Sequence, residues 1–360
     1  MGLICFFNTA IAWGGGEKWH FDTSRHLHQL GYTVLVIAHT KSELLKRLIA
    51  AEIPHRAISI SNLSFLNPFK WRELKSMLKR YPVDTLIMNL SRDVKIAGPC
   101  GRSSGINRII YRRGSAIPIK NTFLNRYFFK NIITDVLANS EATKKTVLEN
   151  NAELFPQEKI KVIYNGIEIP KEILSRNYPT NKNQPFTIIN LGRLEAQKNQ
   201  EFLIYVAQEL KRRNITFKMI IGGEGRLKKT LKEKAKELSM QEFIEFAGFI
   251  EQPLAFMAKG DVFVLPSLWE GFGYVLAEAS ISKKPIVAFD VSSNPELVID
   301  GKTGFLVAPN NIETFADAIE KLYRDERLRE KMGANGSQYA SNHFSKEDNL
   351  EKIKNYLIYG

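Results

Sequence analysis

The chain alternates strand and helix patterns from end to end, and this alternation constrains its fold more than any other feature. Short runs of apolar and β-branched residues read as strands at Leu3–Phe7, Thr33–Ile37, Thr85–Asn89, Arg108–Tyr111, Asp135–Ala138 and Lys161–Tyr164. A second series follows at Thr187–Leu191, Phe217–Ile221, Ile244–Ala247, Val262–Leu265, Ile286–Ala288 and Gly304–Val307. Helical patterns separate the runs. Strands joined through helices pair in parallel, because a parallel neighbour needs a crossover of a dozen or more residues, and the crossover helices then cover both faces of the sheet.

At 360 residues the chain is long for one core and comfortable for two domains. Between the two series, Ile169 to Pro185 carries three prolines with Asn, Lys and Ser and little periodicity, which reads as an interdomain linker. The expected organisation is a first domain over 1–167, a linker over 168–185, and a second domain over 186–345. A closing helix over 346–360 is expected to return to the first domain.

Met1-Gly-Leu-Ile-Cys-Phe-Phe has no basic segment ahead of it and reads as a first strand, not a signal peptide. No apolar run approaches the ~18 residues that span a bilayer. Two cysteines, Cys5 and Cys100, suit a reducing cytosol and suggest neither a disulfide framework nor a metal site. The net charge of +13 is uneven: residues 1–165 hold 24 Lys/Arg against 12 Asp/Glu, a balance of +12, and residues 166–360 hold 27 against 26, a balance of +1. A basic first half is attracted to nucleic acid or to an anionic membrane face. The segment 117–130 points to the membrane. Phe123, Leu124, Tyr127 and Phe128 recur there at helical spacing among Lys120, Arg126 and Lys130, as on an interfacial helix, although the same aromatics would equally serve the domain's own core.

The most informative local motif is Glu270-Gly-Phe-Gly-Tyr-Val-Leu-Ala-Glu278, two carboxylates flanking a Gly-rich turn and the opening of a helix. Such a turn admits close backbone approach, and the helix directs its positive end at whatever sits there, an arrangement suited to phosphate. Glu270 and Glu278 can then face a ligand that is anionic in its middle and hydroxyl-rich at both ends, as a nucleoside-diphosphate sugar is. Gly192, Arg193 and Lys198 follow the strand at Thr187–Leu191. As isolated charges they would read as a solvated loop, but ligands of open α/β sheets bind at the carboxyl ends of strands, so two cations there can neutralise a diphosphate.

Together with Gly192-Arg-Leu-Glu-Ala-Gln-Lys-Asn199, Gly222-Gly-Glu-Gly225 and Tyr164-Asn-Gly-Ile167, this motif resembles the retaining nucleotide-sugar glycosyltransferases of family 4 over almost the full chain. The resemblance implies the GT-B fold, two Rossmann-like domains whose parallel sheets face each other across a cleft. It implies that Glu278 holds the donor ribose, that Glu270 faces the transferred sugar, and that Arg193 and Lys198 bind the diphosphate, making Arg193, Lys198 and Glu270 the catalytic set. The backbone of Gly271, Phe272, Gly273, Tyr274 and Val275 would complete the cradle. Gly223 lies in the second Gly-rich loop, Phe249 and Ile250 in the segment that contacts the base, and Gly15 and Gly16 in the loop by which the first domain approaches diphosphate and acceptor. No metal and no cofactor is implied, because fixed cations and helix ends stabilise the leaving phosphate, and the chain contains no Asp-X-Asp.

One departure from the family concerns the acceptor. Relatives place a His or Asp in the loop after the fourth strand, where this chain reads Tyr111-Arg-Arg-Gly-Ser115. Arg112, Arg113 and Ser115 are expected to grip an anionic acceptor, or else to be ordinary surface residues; Asp93 is a weaker candidate. His20, His26 and His28 read as plain helix residues, and Glu296 of Asn294-Pro-Glu296 either lies near the donor or caps a helix. The implied activity is a hexosyl transfer from a UDP- or GDP-sugar to a lipid-linked or lipopolysaccharide acceptor, cytoplasmic and peripheral at the inner membrane face, with no nucleic-acid partner. A GT-B epimerase or phosphorylase-like enzyme is an alternative, and a basic nucleic-acid-binding protein another. A dinucleotide oxidoreductase fits poorly: Gly14-Gly-Gly-Glu replaces Gly-X-Gly-X-X-Gly, and the second strand ends in Ala38-His39.

Overall fold

The computed structural model describes residues 2–170 and 185–360. The linker expected over 168–185 falls mostly outside the described residues. The chain forms two compact units, one of residues 1–165 with 347–360 and one of residues 166–346.

The first unit is built on seven parallel strands in the order β3-β2-β1-β4-β5-β6-β7. They are β1 (Leu3–Asn8), β2 (Val34–His39), β3 (His55–Ile58), β4 (Val83–Met88), β5 (Arg108–Arg113), β6 (Asp135–Ala138) and β7 (Ile160–Val162). Every residue of β1 and β2 is buried. The side chains of β1 alternate between two cores: Ile4 and Phe6 join Trp19, Leu27, Leu44 and Leu48 on one side, and Leu3, Cys5 and Phe7 join Leu74, Ile96, Phe129 and Val147 on the other. The first core is covered by helices α1 (Gly15–Gln29) and α2 (Glu43–Ala50). Helices α3 (Pro68–Lys79), α4 (Ser91–Ser103), α5 (Phe123–Asn131) and α6 (Glu141–Leu148) cover the second. Each large side chain fully enclosed in this way contributes about 1.5–3 kcal/mol.

Strand β3 is absent from the sequence reading. It is a sheet edge, two of its four residues are exposed, and its polar His55 and Arg56 leave no apolar run to detect. The closing helix Lys346–Tyr359 buries Ile353 and Leu357 in the first core. Arg108 fixes its end, with Nη1 donating to the carbonyls of Tyr356 (2.9 Å) and Leu357 (3.2 Å) and the guanidinium 4.5 Å from the Tyr356 ring.

The second unit has six parallel strands in the order β10-β9-β8-β11-β12-β13. These are β8 (Phe186–Leu191), β9 (Phe217–Gly222), β10 (Ile244–Gly248), β11 (Val262–Leu265), β12 (Ile286–Phe289) and β13 (Gly304–Val307). A T-shaped aromatic trio, Phe202, Phe289 and Phe315, with centroids 4.9 to 5.8 Å apart, packs helices Gln200–Arg212 and Ile312–Arg324 onto the sheet. Arg213 locks the same two helices through Glu209 (2.7 Å), Asp317 (2.6 Å) and Glu320 (2.9 Å).

Candidate active site

In the second sheet the chain proceeds from β8 outward to β9 and β10, then returns to the other side of β8 for β11. The connections after β8 and β11 therefore leave in opposite directions and open a crevice at the strands' carboxyl ends. The ladder between β8 and β11 pairs Ile188 with Val262 and Ile189 with Phe263. One residue further, Asn190 replaces the next rung, its Nδ2 donating to the Val264 carbonyl at 2.8 Å. Beyond that point the loops part.

Three loops on the β8 side are joined by backbone hydrogen bonds. Gly192 N donates to Gly222 O at 3.1 Å, Leu194 N to Glu224 O at 2.9 Å, and Gly223 N to Gly248 O at 2.7 Å. Gly223 has a φ of +127°, and a Cβ there would lie 1.9 Å from Gly192 O. Only glycine permits this contact. The arrangement leaves Arg193 exposed on one loop and Phe249, 78% exposed, on another, with Ile250 half-buried against Gly222.

Lys198 and Glu270 meet across the crevice as an ion pair whose side chains are only 12% and 7% exposed. The Lys198 stem lies along Gly192, whose missing Cβ would be 3.4 Å from Cγ and Cδ. Neighbours hold both loops. Gln197 Nε2 donates to Trp269 O at 2.7 Å, Leu268 N donates to Gln197 O at 2.9 Å, and Ser293 Oγ donates to Glu270 O at 3.3 Å. After Glu270 the chain turns through Gly271-Phe-Gly, with Gly273 at φ +84° preceding helix Tyr274–Ile281. Phe272 is buried and anchors the turn, edge-on to Tyr274 and Phe344 at 5.4 Å each. Tyr274, Val275 and Glu278 are half-buried on that helix. A cationic loop, a buried carboxylate and a helix N-terminus thus converge within one unit, a combination that can take up an anion and stabilise charge developing on it.

The first unit has its own reversal, between β1 and β4. Gly15 and Gly16 open α1 there, and a Cβ on Gly16 would come within 2.5 Å of Asn89 Nδ2. The cluster beneath is polar and buried. Glu17 Oε1 accepts from Asn8 Nδ2 at 3.1 Å, and Arg112 donates to Asn89 Oδ1 at 3.1 Å and Asn165 Oδ1 at 2.9 Å while lying 5.0 Å from the Trp19 ring. His20 is fully enclosed with Nδ1 3.0 Å from Gly16 O, and burial holds its pKa down at about 3, so its ring is neutral.

The residues expected at the acceptor are placed differently from the loop or surface positions that the sequence suggests. Arg112 and Arg113 are not loop residues: β5 runs on through both, and they are 2% and 9% exposed. Arg113 Nη2 donates to the carbonyls of Ser115 (3.2 Å) and Ile117 (2.5 Å), so it braces the turn that follows β5, and Ser115 is only half-buried beside it. Asp93 is wholly buried in the first turn of α4, where it accepts from Thr9 Oγ1 (2.5 Å) and Leu90 N (3.1 Å). Burial raises its pKa to about 7 against the lowering effect of those hydrogen bonds and of Arg92. Arg112 looks like a surface charge in sequence because the polar partners that enclose it, Asn89 and Asn165, are distant along the chain.

One of the four apolar residues singled out in 117–130 is also internal. Helix α5 starts only at Phe123, and Phe128 is in the core, whereas Phe123 (77%), Tyr127 (46%) and Leu124 (37%) are exposed. Cys5 and Cys100 are free and buried, and burial raises their thiols to about 12 and about 11. Gln197, Ser293 and Asn190 escaped the sequence reading; a polar Asn in an otherwise apolar strand was the one available signal.

The chain is similar to known proteins over most of its length. Residues 171–339 match the family described as Glycosyl transferases group 1, and residues 13–170 match Glycosyltransferase Family 4. A capsular polysaccharide biosynthesis glycosyltransferase, CapM of Staphylococcus aureus, is 29% identical over 238 residues, which is 62% of each chain and so less than two thirds of that relative's length. The N-acetylgalactosamine-N,N'-diacetylbacillosaminyl-diphospho-undecaprenol 4-alpha-N-acetylgalactosaminyltransferase of Campylobacter jejuni is 27% identical over 307 residues, 82% of each chain. The crystal structure of Anabaena Alr3699/HepE in complex with UDP-glucose superposes with a TM-score of 0.84 over 100% of both chains at 21% identity, which establishes a shared fold.

Proposed function

We propose that this chain, which belongs to glycosyltransferase family 4 and has the GT-B fold, moves a hexosyl group from a UDP- or GDP-sugar to a membrane-associated glycan acceptor with retention of the anomeric configuration. The observation that carries this reading is the meeting of Lys198 and Glu270 at the sheet's reversal, beside the Gly271-Phe-Gly273 turn that opens a helix. Breaking the anomeric C–O bond leaves negative charge on the β-phosphate. Lys198, Arg193 and the helix end receive that charge as it develops, so the transition state is favoured over the ground state. Glu270 accepts hydrogen bonds from the transferred sugar, and Glu278, one turn into the helix that follows, accepts them from the ribose diol. The Gly192–Gly223 contact brings backbone close to the nucleotide, and exposed Phe249 offers a face for the base. In this reading no metal ion takes part, since fixed positive groups fill its role.

The acceptor side rests on different support. The first 165 residues carry a balance of +12, and exposed Phe123, Leu124 and Tyr127 lie among exposed Lys120, Arg126 and Lys130. That pattern suits contact with an anionic bilayer, where a lipid-linked oligosaccharide or lipopolysaccharide intermediate would be met. The relatives named above act in capsule synthesis and, by its name, on an undecaprenol-linked saccharide. Among the described residues no helix is long and apolar enough to cross a membrane.

A thermal-shift panel of UDP-, GDP-, ADP- and CMP-sugars in EDTA tests the donor assignment. A ligand that binds the native state at a hundred times its Kd adds about 2.7 kcal/mol and raises the melting point. One nucleotide series should do so in the chelator. No shift with any of them would end the reading, and a shift that vanishes in EDTA would end its metal-independent form.

A further inference from the structure

We propose that the Lys198–Glu270 ion pair makes the site discriminate between an intact sugar nucleotide and the bare nucleoside diphosphate left after transfer, weakening the hold on product. The inference rests on the donor-site reading above and adds to it a role for the pair in the unoccupied protein. The cation expected to bind the diphosphate already has a partner, and that partner is a carboxylate almost closed to water. Gln197 and Ser293 fix the two loops, and Gly192 lets the Lys198 stem lie flat along the crevice wall, so the pair is built into the fold.

A diphosphate draws the Lys198 ammonium toward itself. Glu270 then loses some or all of its counter-charge while a dianionic group arrives nearby. A buried carboxylate in that position is strongly disfavoured unless hydrogen-bond donors replace what it lost. The transferred sugar brings such donors, its hydroxyl groups, to the side of the diphosphate where Glu270 stands. A bare diphosphate brings none. Occupancy by the full donor therefore satisfies both members of the pair, and occupancy by the product satisfies only Lys198. Product release limits turnover in many enzymes, so a site that penalises its own product gains turnover where release is the slow step.

Isothermal titration of the full chain and of Glu270→Gln with UDP, UDP-glucose, GDP and GDP-mannose decides the matter. The glutamine keeps the side chain's shape and an acceptor oxygen but no charge. For whichever nucleotide binds, the parent should prefer the sugar nucleotide to the diphosphate. In Glu270→Gln the diphosphate should bind about tenfold tighter than in the parent, while the sugar nucleotide changes by less than roughly threefold, so the preference collapses. A parent that binds UDP or GDP as tightly as the corresponding sugar nucleotide overturns the proposal without any variant. Diphosphate affinity that is unchanged or weakened in Glu270→Gln overturns it too, leaving the donor-site reading intact. Absence of binding by all four ligands to the parent overturns that reading and the discrimination with it.

Discussion

Asp93→Asn should change how the first unit's stability responds to pH, and the buried Asp93 carboxyl beneath its sheet reversal sets the size of the effect. Asp93 has a pKa raised from 3.8 to about 7, chiefly by burial. Between those values the native state keeps a proton that the unfolded chain has shed, so stability falls as pH rises, at about 1.4 kcal/mol per pH unit. His20 has a pKa lowered from 6.5 to about 3, again chiefly by burial. In its window the unfolded chain binds the proton first, so stability falls as pH drops, with the same slope. From about pH 4 to 6.5 the two contributions oppose each other and nearly cancel in the parent. Removing the Asp93 carboxyl leaves the His20 contribution unopposed. The stability difference between Asp93→Asn and the parent should therefore climb by ~4 kcal/mol from about pH 4 to pH 7, because every other titrating group is common to both proteins. Urea unfolding in a Trp269→Phe background reads this unit alone, since the remaining tryptophans, Trp13, Trp19 and Trp71, all lie in it. Parallel curves for the two proteins across pH 4 to 7 would refute the reasoning.

Glu278→Ala should weaken nucleotide binding, whereas Lys198→Ala should lower kcat more than it weakens binding, because Lys198 meets charge that grows in the transition state; steady-state kinetics beside calorimetry separate the two, and parental rates in both variants would undo the site assignment. Gly223→Ala would place a methyl 1.9 Å from Gly192 O at a φ of +127°, so the second unit should lose about 3 kcal/mol or more in denaturant unfolding, together with donor binding; a fully stable variant would mean the two loops do not touch. Sedimentation with vesicles containing phosphatidylglycerol should show binding that the combined replacement of Lys120, Arg126 and Lys130 by Ser removes, by about 1 kcal/mol for each charge; indifference of the parent to lipid would count against a membrane-face acceptor.

The sequence alone determined the doubly wound parallel sheets, because a strand covered on both faces must be apolar along its whole length and the interleaved helices dictate its direction. It also marked Glu270, Gly273 and Lys198, since glycines and charges at strand ends are local signals that need no knowledge of distant neighbours. What it left undecided was set by residues far apart in the chain. Edge strand β3 carries no apolar run because one sheet neighbour and partial exposure ask for none. Arg112 and Asp93 are ionisable residue types, the usual mark of a surface, and only the fold brings Asn89, Asn165 and Thr9 around them so that burial becomes tolerable. The same holds for the partnership of Lys198 with Glu270, 72 residues apart. Periodicity records which face of an element is dry. Which polar groups meet inside is decided by tertiary packing, because hydrogen-bond satisfaction depends on positions that no window of sequence contains.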